Sequence, residues 1–305
     1  MQPLVTVLVP VYNGTKYLEK TINALLAQDY ENFEILLIND GSTDSSATLV
    51  DELAAKHTNI RAFHKPNGGV AAARNFGIAR AEGELIAFCD QDDLWFPTKL
   101  SKQVPLFSNE RVGLVFCGAI IDYEFLNTQK EQYLGNEFRG HVFERLIEEN
   151  FVICCTAVAR KNLLIETQAF DAERGLMGVD DWLAWLKLAL VSELDFVPEY
   201  LATYVLHGNN YSANEPEMHK AELICLEKIK PIAQQQGLNL NWASVIQSIH
   251  VRYATNYIHN QMFDLAGETL LQAAKLSNNK KLKLKGLALK FIPNPVLSFI
   301  KALKP

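Results

Sequence analysis

Long apolar runs are missing from these 305 residues. No uninterrupted stretch reaches the ~18–20 apolar residues that a membrane-spanning helix needs. Met1 to Val11 runs straight into a strand-like segment, so no signal peptide is expected there. Cysteine is scarce too. Cys89, Cys117, Cys154, Cys155 and Cys225 are odd in number, scattered, and mostly set in apolar surroundings. That speaks against a disulfide frame or a zinc site and reads as reduced, buried thiols of a cytoplasmic protein. No internal repeat supports a solenoid. No Gly-x-Gly-x-x-Gly follows the first apolar strand, which argues against a dinucleotide fold. The loop there, Pro10-Val11-Tyr12-Asn13-Gly14, also lacks the basic cluster that a nucleotidyltransferase would use to hold a triphosphate.

Basic charge is thin in most of the chain. Lys and Arg total 29 against 35 acids, a formal −6. Eight of the lysines fall after Thr269, where there is no acid, so the first 268 residues carry 21 basic against 35 acidic side chains, a net −14. An acidic body with a basic tail does not fit a nucleic-acid binder. The tail instead suggests contact with an anionic surface.

What is present alternates. Val5 to Val9 reads as a buried strand and Thr15 to Gln28 as a helix with a stripe at Leu18, Ile22, Leu25 and Leu26. Phe33 to Ile38 is a second strand, Ala47 to Lys56 a helix and Ile60 to Phe63 a third strand. Asn67-Gly68-Gly69 opens a helix through Ala81, and Leu85 to Cys89 is the next strand. This order predicts right-handed crossovers and a parallel sheet with helices on both faces. Further on, Pro97 to Phe107 and His141 to Glu148 read as helices. Val112 to Cys117, Phe151 to Val158 and Phe196 to Leu206 read as strands, the last with a turn at Val197-Pro198. A helix follows Asp180-Asp181, with Trp182, Trp185, Leu186 and Leu190 on one side. From Glu217 the pattern is helical, over Ala221 to Gln235, Trp242 to Met262 and Leu265 to Leu276. Lys280 to Lys304 interleaves lysines with Leu, Ile and Phe around Pro293-Asn294-Pro295. Such a basic amphipathic segment can lie on an anionic membrane surface.

The stretch from Gly83 to Asp93 organises the chain. It begins as an apolar strand and ends in Asp90-Gln91-Asp92-Asp93, three carboxylates within four residues. Ligands bind at the carboxyl ends of strands in open α/β sheets, and crowded carboxylates call for a hard divalent cation. The second strand ends at Asp40, on the same edge of a parallel sheet. Asp180 and Asp181 precede a helix, where an acid either answers the helix dipole or points into a cleft as a general base.

These pieces, in this order, resemble the family 2 glycosyltransferases with the GT-A fold. The resemblance rests on Thr6 to Asn13, Asn39 to Asp44, Asn67-Gly68-Gly69 through Ala73-Arg74-Asn75, and Gly83 to Asp93 with Trp95, Pro97, Lys99, Leu100 and Gln103. Asp180-Asp181-Trp182 and His207 to Ser212 complete it. It implies an α/β, Rossmann-like and mostly parallel central sheet flanked by helices. Residues 1–212 would form the glycosyltransferase domain, with a nucleotide-sugar half at 1–116 and an acceptor half at 117–212. A helical extension at 213–278 and a basic amphipathic tail at 279–305 would follow. The implied activity is inverting, metal-dependent transfer of a sugar from a nucleotide donor, uridine-linked for preference, to a glycan or lipid-linked acceptor in cell-surface polysaccharide synthesis. A non-catalytic nucleotide-sugar-binding protein is the alternative. Pro10, Tyr12, Asn13, Asp40, Arg74, Asp90 and Gln91 would hold the donor. Asp92, Asp90 and His207 would hold Mn²⁺ or Mg²⁺. Asp181 would be the base, with Asp180 in reserve. Acceptor recognition is expected between Ile120 and Arg174. The protein would work in the cytoplasm, as a peripheral visitor to the inner membrane face. Asn39, Val205 and Lys187 depart from the family pattern, where an Asp, an Arg and an Arg are common.

Overall fold

The computed structural model describes residues 2–132, 138–208 and 210–291. The remainder of the basic tail and Asn209 of the His207 to Ser212 stretch lie outside the described residues.

The first half alternates as its apolar runs require. β1 (Val5–Val11), α1 (Leu18–Leu26), β2 (Phe33–Asn39), α2 (Ser46–Lys56), β3 (Ile60–His64), α3 (Val70–Ile78) and β4 (Leu85–Phe88) follow one another. All of β1 and β4 is buried, the mark of strands covered on both faces. Next come β5 (Leu94–Trp95), α4 (Lys99–Gln103), β6 (Val112–Tyr123), β7 (Thr128–Gln132), α5 (Phe143–Leu146), β8 (Val158–Arg160), α6 (Lys161–Glu166), α7 (Asp180–Val191) and β9 (Glu193–Leu206). The strands form one sheet in the order β3-β2-β1-β4-β8-β6-β9-β5, with β7 paired to β6. From β3 to β4 every pairing is parallel. Beyond β4 the sheet is mixed: β8 runs antiparallel to β4 and β6, while β9 runs parallel to β6.

Four elements differ from the sequence expectation. Phe151 to Val158 is not a strand. Cys154–Thr156 forms a short 3-10 turn and the strand covers Val158–Arg160. The helix expected over His141 to Glu148 is one turn, Phe143–Leu146. β9 runs unbroken past Val197-Pro198. The ladder with β6 skips there, from Val197 opposite Cys117 to Tyr200 opposite Gly118, so Pro198, which has no N–H to give, sits in a bulge. α7 is buried nearly all round, including Trp182, Leu183, Ala184, Trp185, Leu186 and Leu188, rather than along one stripe. A helix that is apolar on every side belongs inside a core.

Contacts divide the chain into two compact units, one through Ala213 and one from Asn214. The second unit is helical: α8 (Glu215–Gln235), α9 (Trp242–His259), α10 (Phe263–Ser277) and α11 (Lys280–Phe291). Asn214 and Asn241 cap α8 and α9 by accepting the N–H of Glu217 and Ser244. His219 and His250 are buried between α8 and α9, with 3.0 Å between His219 Nε2 and His250 Nδ1. All five cysteines are buried, and none is in a disulfide among the described residues. Among the described residues no helix is long and apolar enough to cross a membrane.

Candidate active site

Parallel register puts the ends of β1, β2 and β4 on one edge, with Val11 opposite Asn39 and Leu8 opposite Phe88. The loops leaving that edge are tied together. Gln91 clasps the Tyr12 backbone twice: Tyr12 N–H donates to Gln91 Oε1 at 2.9 Å, and Gln91 Nε2 donates to Tyr12 O at 3.0 Å. A Cβ on Gly14 would fall 2.1 Å from Gln91 Oε1, so only glycine fits under this clasp. Asn13, in the left-handed region, accepts Thr43 N–H at 2.8 Å. Gln91 and Asn13, both expected to touch donor, thus assemble the loops around it. Pro10 is the last but one residue of β1, and the Tyr12 ring beyond it stands 47% exposed, free to lie against a planar base.

Asp40 ends β2 and is almost fully buried. Its carboxylate accepts Gly68 N–H at 3.0 Å and Gly69 N–H at 2.8 Å, and pairs with Lys65. Its backbone oxygen accepts from Asn67 Nδ2. Asp40 therefore pins the turn that opens α3. A carboxylate offers about four lone-pair sites, and three donors occupy this one.

Arg74 projects from α3 between two acids. Its Nη1 donates to Asp180 Oδ2 at 2.6 Å and its Nη2 to Asp90 Oδ1 at 2.8 Å. Arg74 and Asp180 are each 4% exposed at the side chain. Asp180 is thus committed to Arg74. The next carboxylate, Asp181, is partly exposed and accepts only the Trp182 N–H, at 2.6 Å, among the bonds seen here. Desolvation, then the charge of Asp180, pushes the Asp181 carboxyl up to about 7. A cavity of about 230 Å³ opens at Asp180, between Asn67–Ala71 and the segment carrying Asp171, Arg174 and Met177.

Asp92 points the other way. Its Oδ2 lies 2.8 Å from His207 Nε2, beyond the end of β9. The Tyr17 ring stacks on His207 at 4.9 Å, and Tyr17 O–H donates to Glu124 at 2.7 Å. Burial, then the neighbouring Asp90 charge, raises the Asp92 carboxyl. Beside it, Asp93 is wholly buried and accepts Val205 N–H at 3.1 Å, which fastens the acidic loop to β9. A second cavity, about 260 Å³, is bounded by Lys16, Tyr17, Lys20, Asp92, Asp122 and Glu124. Tyr17 and Glu124 escaped the sequence reading, and Asp93, named there as one of the three crowded carboxylates, was given no role of its own. Tyr17 and Glu124 meet across 107 positions, and no local pattern marks either.

Among the described residues no group of three or more His, Cys, Asp or Glu side chains gathers to hold a metal. The expected set of Asp92, Asp90 and His207 is split, because Asp90 turns to Arg74. Asp92 and His207 still fit a divalent ion shared with substrate. Mg²⁺ and similar ions are commonly held by one or two protein ligands, with phosphate oxygens and water completing the shell.

The class of protein is now clear: a mixed α/β sheet flanked by helices, with its acidic loops gathered on one edge, has the GT-A fold of glycosyltransferases. A model of the family described as glycosyl transferase family 2 matches residues 6–167, and the chain belongs to that family. It is 30% identical over 229 residues to an uncharacterized glycosyltransferase of Rickettsia typhi, covering 72% of this chain and 70% of that one. Residues 1–349 of TarS from S. aureus, in complex with UDP-GlcNAc, superpose with a TM-score of 0.68 at 16% identity, covering 98% of this chain and 92% of that one. The mannosyltransferase PcManGT of Pyrobaculum calidifontis, in complex with GDP-Man and Mn²⁺, gives a TM-score of 0.59 at 19% identity over 99% and 88%.

Proposed function

We propose that this glycosyltransferase moves a sugar from a nucleoside-diphosphate donor, uridine-linked, to a hydroxyl of a glycan or lipid-linked acceptor, with inversion, in cell-surface polysaccharide synthesis at the inner membrane face. The single observation that carries the reading is the Arg74 bridge. One buried guanidinium holds both Asp90 of the acidic loop and Asp180, so Asp181 stands within one side chain's span of that loop. This supports Asp181 as a base beside the groups that would receive a diphosphate. TarS with UDP-GlcNAc and PcManGT with GDP-Man and Mn²⁺ support a nucleotide-sugar donor and a metal on the same fold.

In this reading Asp181 takes the proton from the acceptor hydroxyl. That oxygen bonds to the anomeric carbon as the bond to the diphosphate oxygen breaks on the opposite face. The electron pair leaves with the nucleoside diphosphate. A carboxyl poised near 7 suits the task, because it is ionised at working pH yet basic enough to accept a proton. Arg74 keeps Asp180 ionised and out of the way. Tyr12 and Asp40 meet the base. Asp92 and His207 would hold Mn²⁺ or Mg²⁺, which supplies charge stabilisation for the leaving diphosphate.

The test is a thermal-shift panel of nucleoside diphosphates and nucleotide sugars with and without Mn²⁺. The expected outcome is stabilisation by a uridine diphosphate that needs the metal and disappears in Asp92→Asn. A metal-independent response, or an Asp92→Asn protein that responds normally, removes the metal assignment. No response to any nucleotide removes the donor assignment.

A further inference from the structure

Helix α11 carries two apolar stripes, not one. Leu282, Gly286 and Leu289 share a face by their i, i+4, i+7 spacing, and Gly286 and Leu289 are buried where α11 packs on α10. Gly267 of α10 crosses Gly286 so closely that a Cβ on either would lie 2.9 Å from the other's carbonyl oxygen. The second stripe is Leu284, Leu287, Ala288 and Phe291, spaced i, i+3, i+4, i+7. Its two large outer members are left in the open. Leu284 is 67% exposed and Phe291 79%, the two most exposed large apolar side chains among the described residues.

The charge around this second stripe is of one sign. Lys280 and Lys281 stand one turn before Leu284 on the same face, and Lys283 and Lys285 flank it, all exposed. None of these four pairs with an acid among the described residues, whereas Lys290, on the packed side, is matched by Glu268 at 2.9 Å. A helix that has already buried one face keeps a second apolar face only at a cost in solubility, unless something covers it. The cover must be apolar at its centre and negative at its rim. A bilayer with anionic headgroups is both, with no need of matched side chains.

We propose that α11 lies in the headgroup layer of an anionic bilayer, with Leu284 and Phe291 inserted and Lys280, Lys281, Lys283 and Lys285 on lipid phosphates. The contact belongs to one face of one helix, not to the basic segment as a whole. It goes beyond sugar transfer and does not depend on it.

The experiment is co-sedimentation of the full chain with phosphatidylcholine vesicles, with and without about one-third phosphatidylglycerol. The protein is expected to sediment only with the anionic vesicles and to be released by high salt. The double variant Leu284→Ser/Phe291→Ser is expected to lose about tenfold or more in vesicle affinity, with its melting temperature unchanged because both positions are exposed. Equal binding by that variant would mean plain charge adsorption and would overturn the proposal. So would equal binding to neutral vesicles. So would absence of vesicle binding together with a dimer, seen by light scattering, that the double variant dissolves; the cover would then be a second copy. Donor binding measured in solution on the same samples reports separately on the sugar-transfer reading.

Discussion

Arg74 is a buried cation with two anions, and each of the three depends on the others. Breaking such a pair leaves an uncompensated charge in the interior, which typically costs about 3–5 kcal/mol. Arg74→Met is therefore expected to lower stability by about that much in urea unfolding, since Asp180 would be stranded. Arg74→Lys retains the charge but has no planar fork to reach Asp90 and Asp180 together. It is expected to fold and to lose most turnover, read as kcat at saturating donor. Asp181 gives a pH signature. With Asp181 as the proposed base, kcat/KM is expected to fall about tenfold per pH unit below about 7. In Asp181→Asn turnover is expected to drop by about 10²–10⁴ with donor affinity retained. Stability runs the opposite way. The folded state holds the Asp181 proton up to about 7, while an unfolded aspartate releases its proton near 3.9. The folded state thus binds more protons in that interval, and Asp181 makes the protein less stable as pH rises through it. Asp181→Asn should accordingly melt above the wild type at pH 8 and close to it at pH 4. A lower melting temperature at pH 8 would mean that the carboxylate is structural. The sequence left Asp180 and Asp181 open between dipole partner and base. The structure separates the two, because only Asp180 pairs with Arg74, and a contact 106 positions apart leaves no local trace.

At the scale of the element, legibility followed the backbone. β1, β2 and β4 could be read because fully buried strands with β-branched residues leave unbroken apolar runs, and their polar ends marked the ligand edge. Phe151 to Val158 is equally apolar and misled. An apolar run becomes a strand only if a ladder takes up its backbone groups. Here Thr156 N–H donates to Ile153 O and Ala157 N–H to Cys154 O within the turn. The buried Gln103 side chain supplies the missing donor, with Nε2 on Thr156 O at 2.8 Å and on Val115 O at 3.2 Å. A side chain from α4 thus replaces ladder hydrogen bonds. Gln103→Leu fills much the same volume but takes the amide donor from both carbonyls, leaving Thr156 O the weak Cys117 Sγ contact at 3.8 Å. It is expected to destabilise by about 1–3 kcal/mol in denaturant unfolding. A neutral outcome would show that water can take the place of the amide.

At the scale of the whole molecule, the two units differ in the buried groups that titrate between about pH 4 and 7. The unit through Ala213 buries acids, and desolvation raises Asp93, Asp180 and Asp181 above the ordinary carboxylate range. The unit from Asn214 buries two histidines. Desolvation, then His250 and Arg252, brings His219 down to about 4, and desolvation lowers His250 as well. His219 meets His250, Tyr253 and Tyr257 from α9, and Glu222 on its own helix is joined to Arg252 and Tyr253, so among the described residues no acid pairs with either imidazole. Between about pH 4 and 6.5 the unfolded histidines bind protons that the folded ones refuse, so acid weakens the helical unit. Over much the same interval acid favours the sheet unit, where Asp181 holds its proton up to about 7. Calorimetry is therefore expected to show two transitions that move apart as pH falls from 8 to 5, one upward and one downward. His219→Phe replaces the imidazole by a ring that cannot titrate, and it should blunt the downward movement without touching the upward one. The chain cut after Ala213 should show the upward transition alone, since the sheet, Arg74, both of its acids and the Asp92–His207 pair all lie within it. A single transition that moves one way with pH would mean that the units melt together, and that one set of buried groups governs the whole chain.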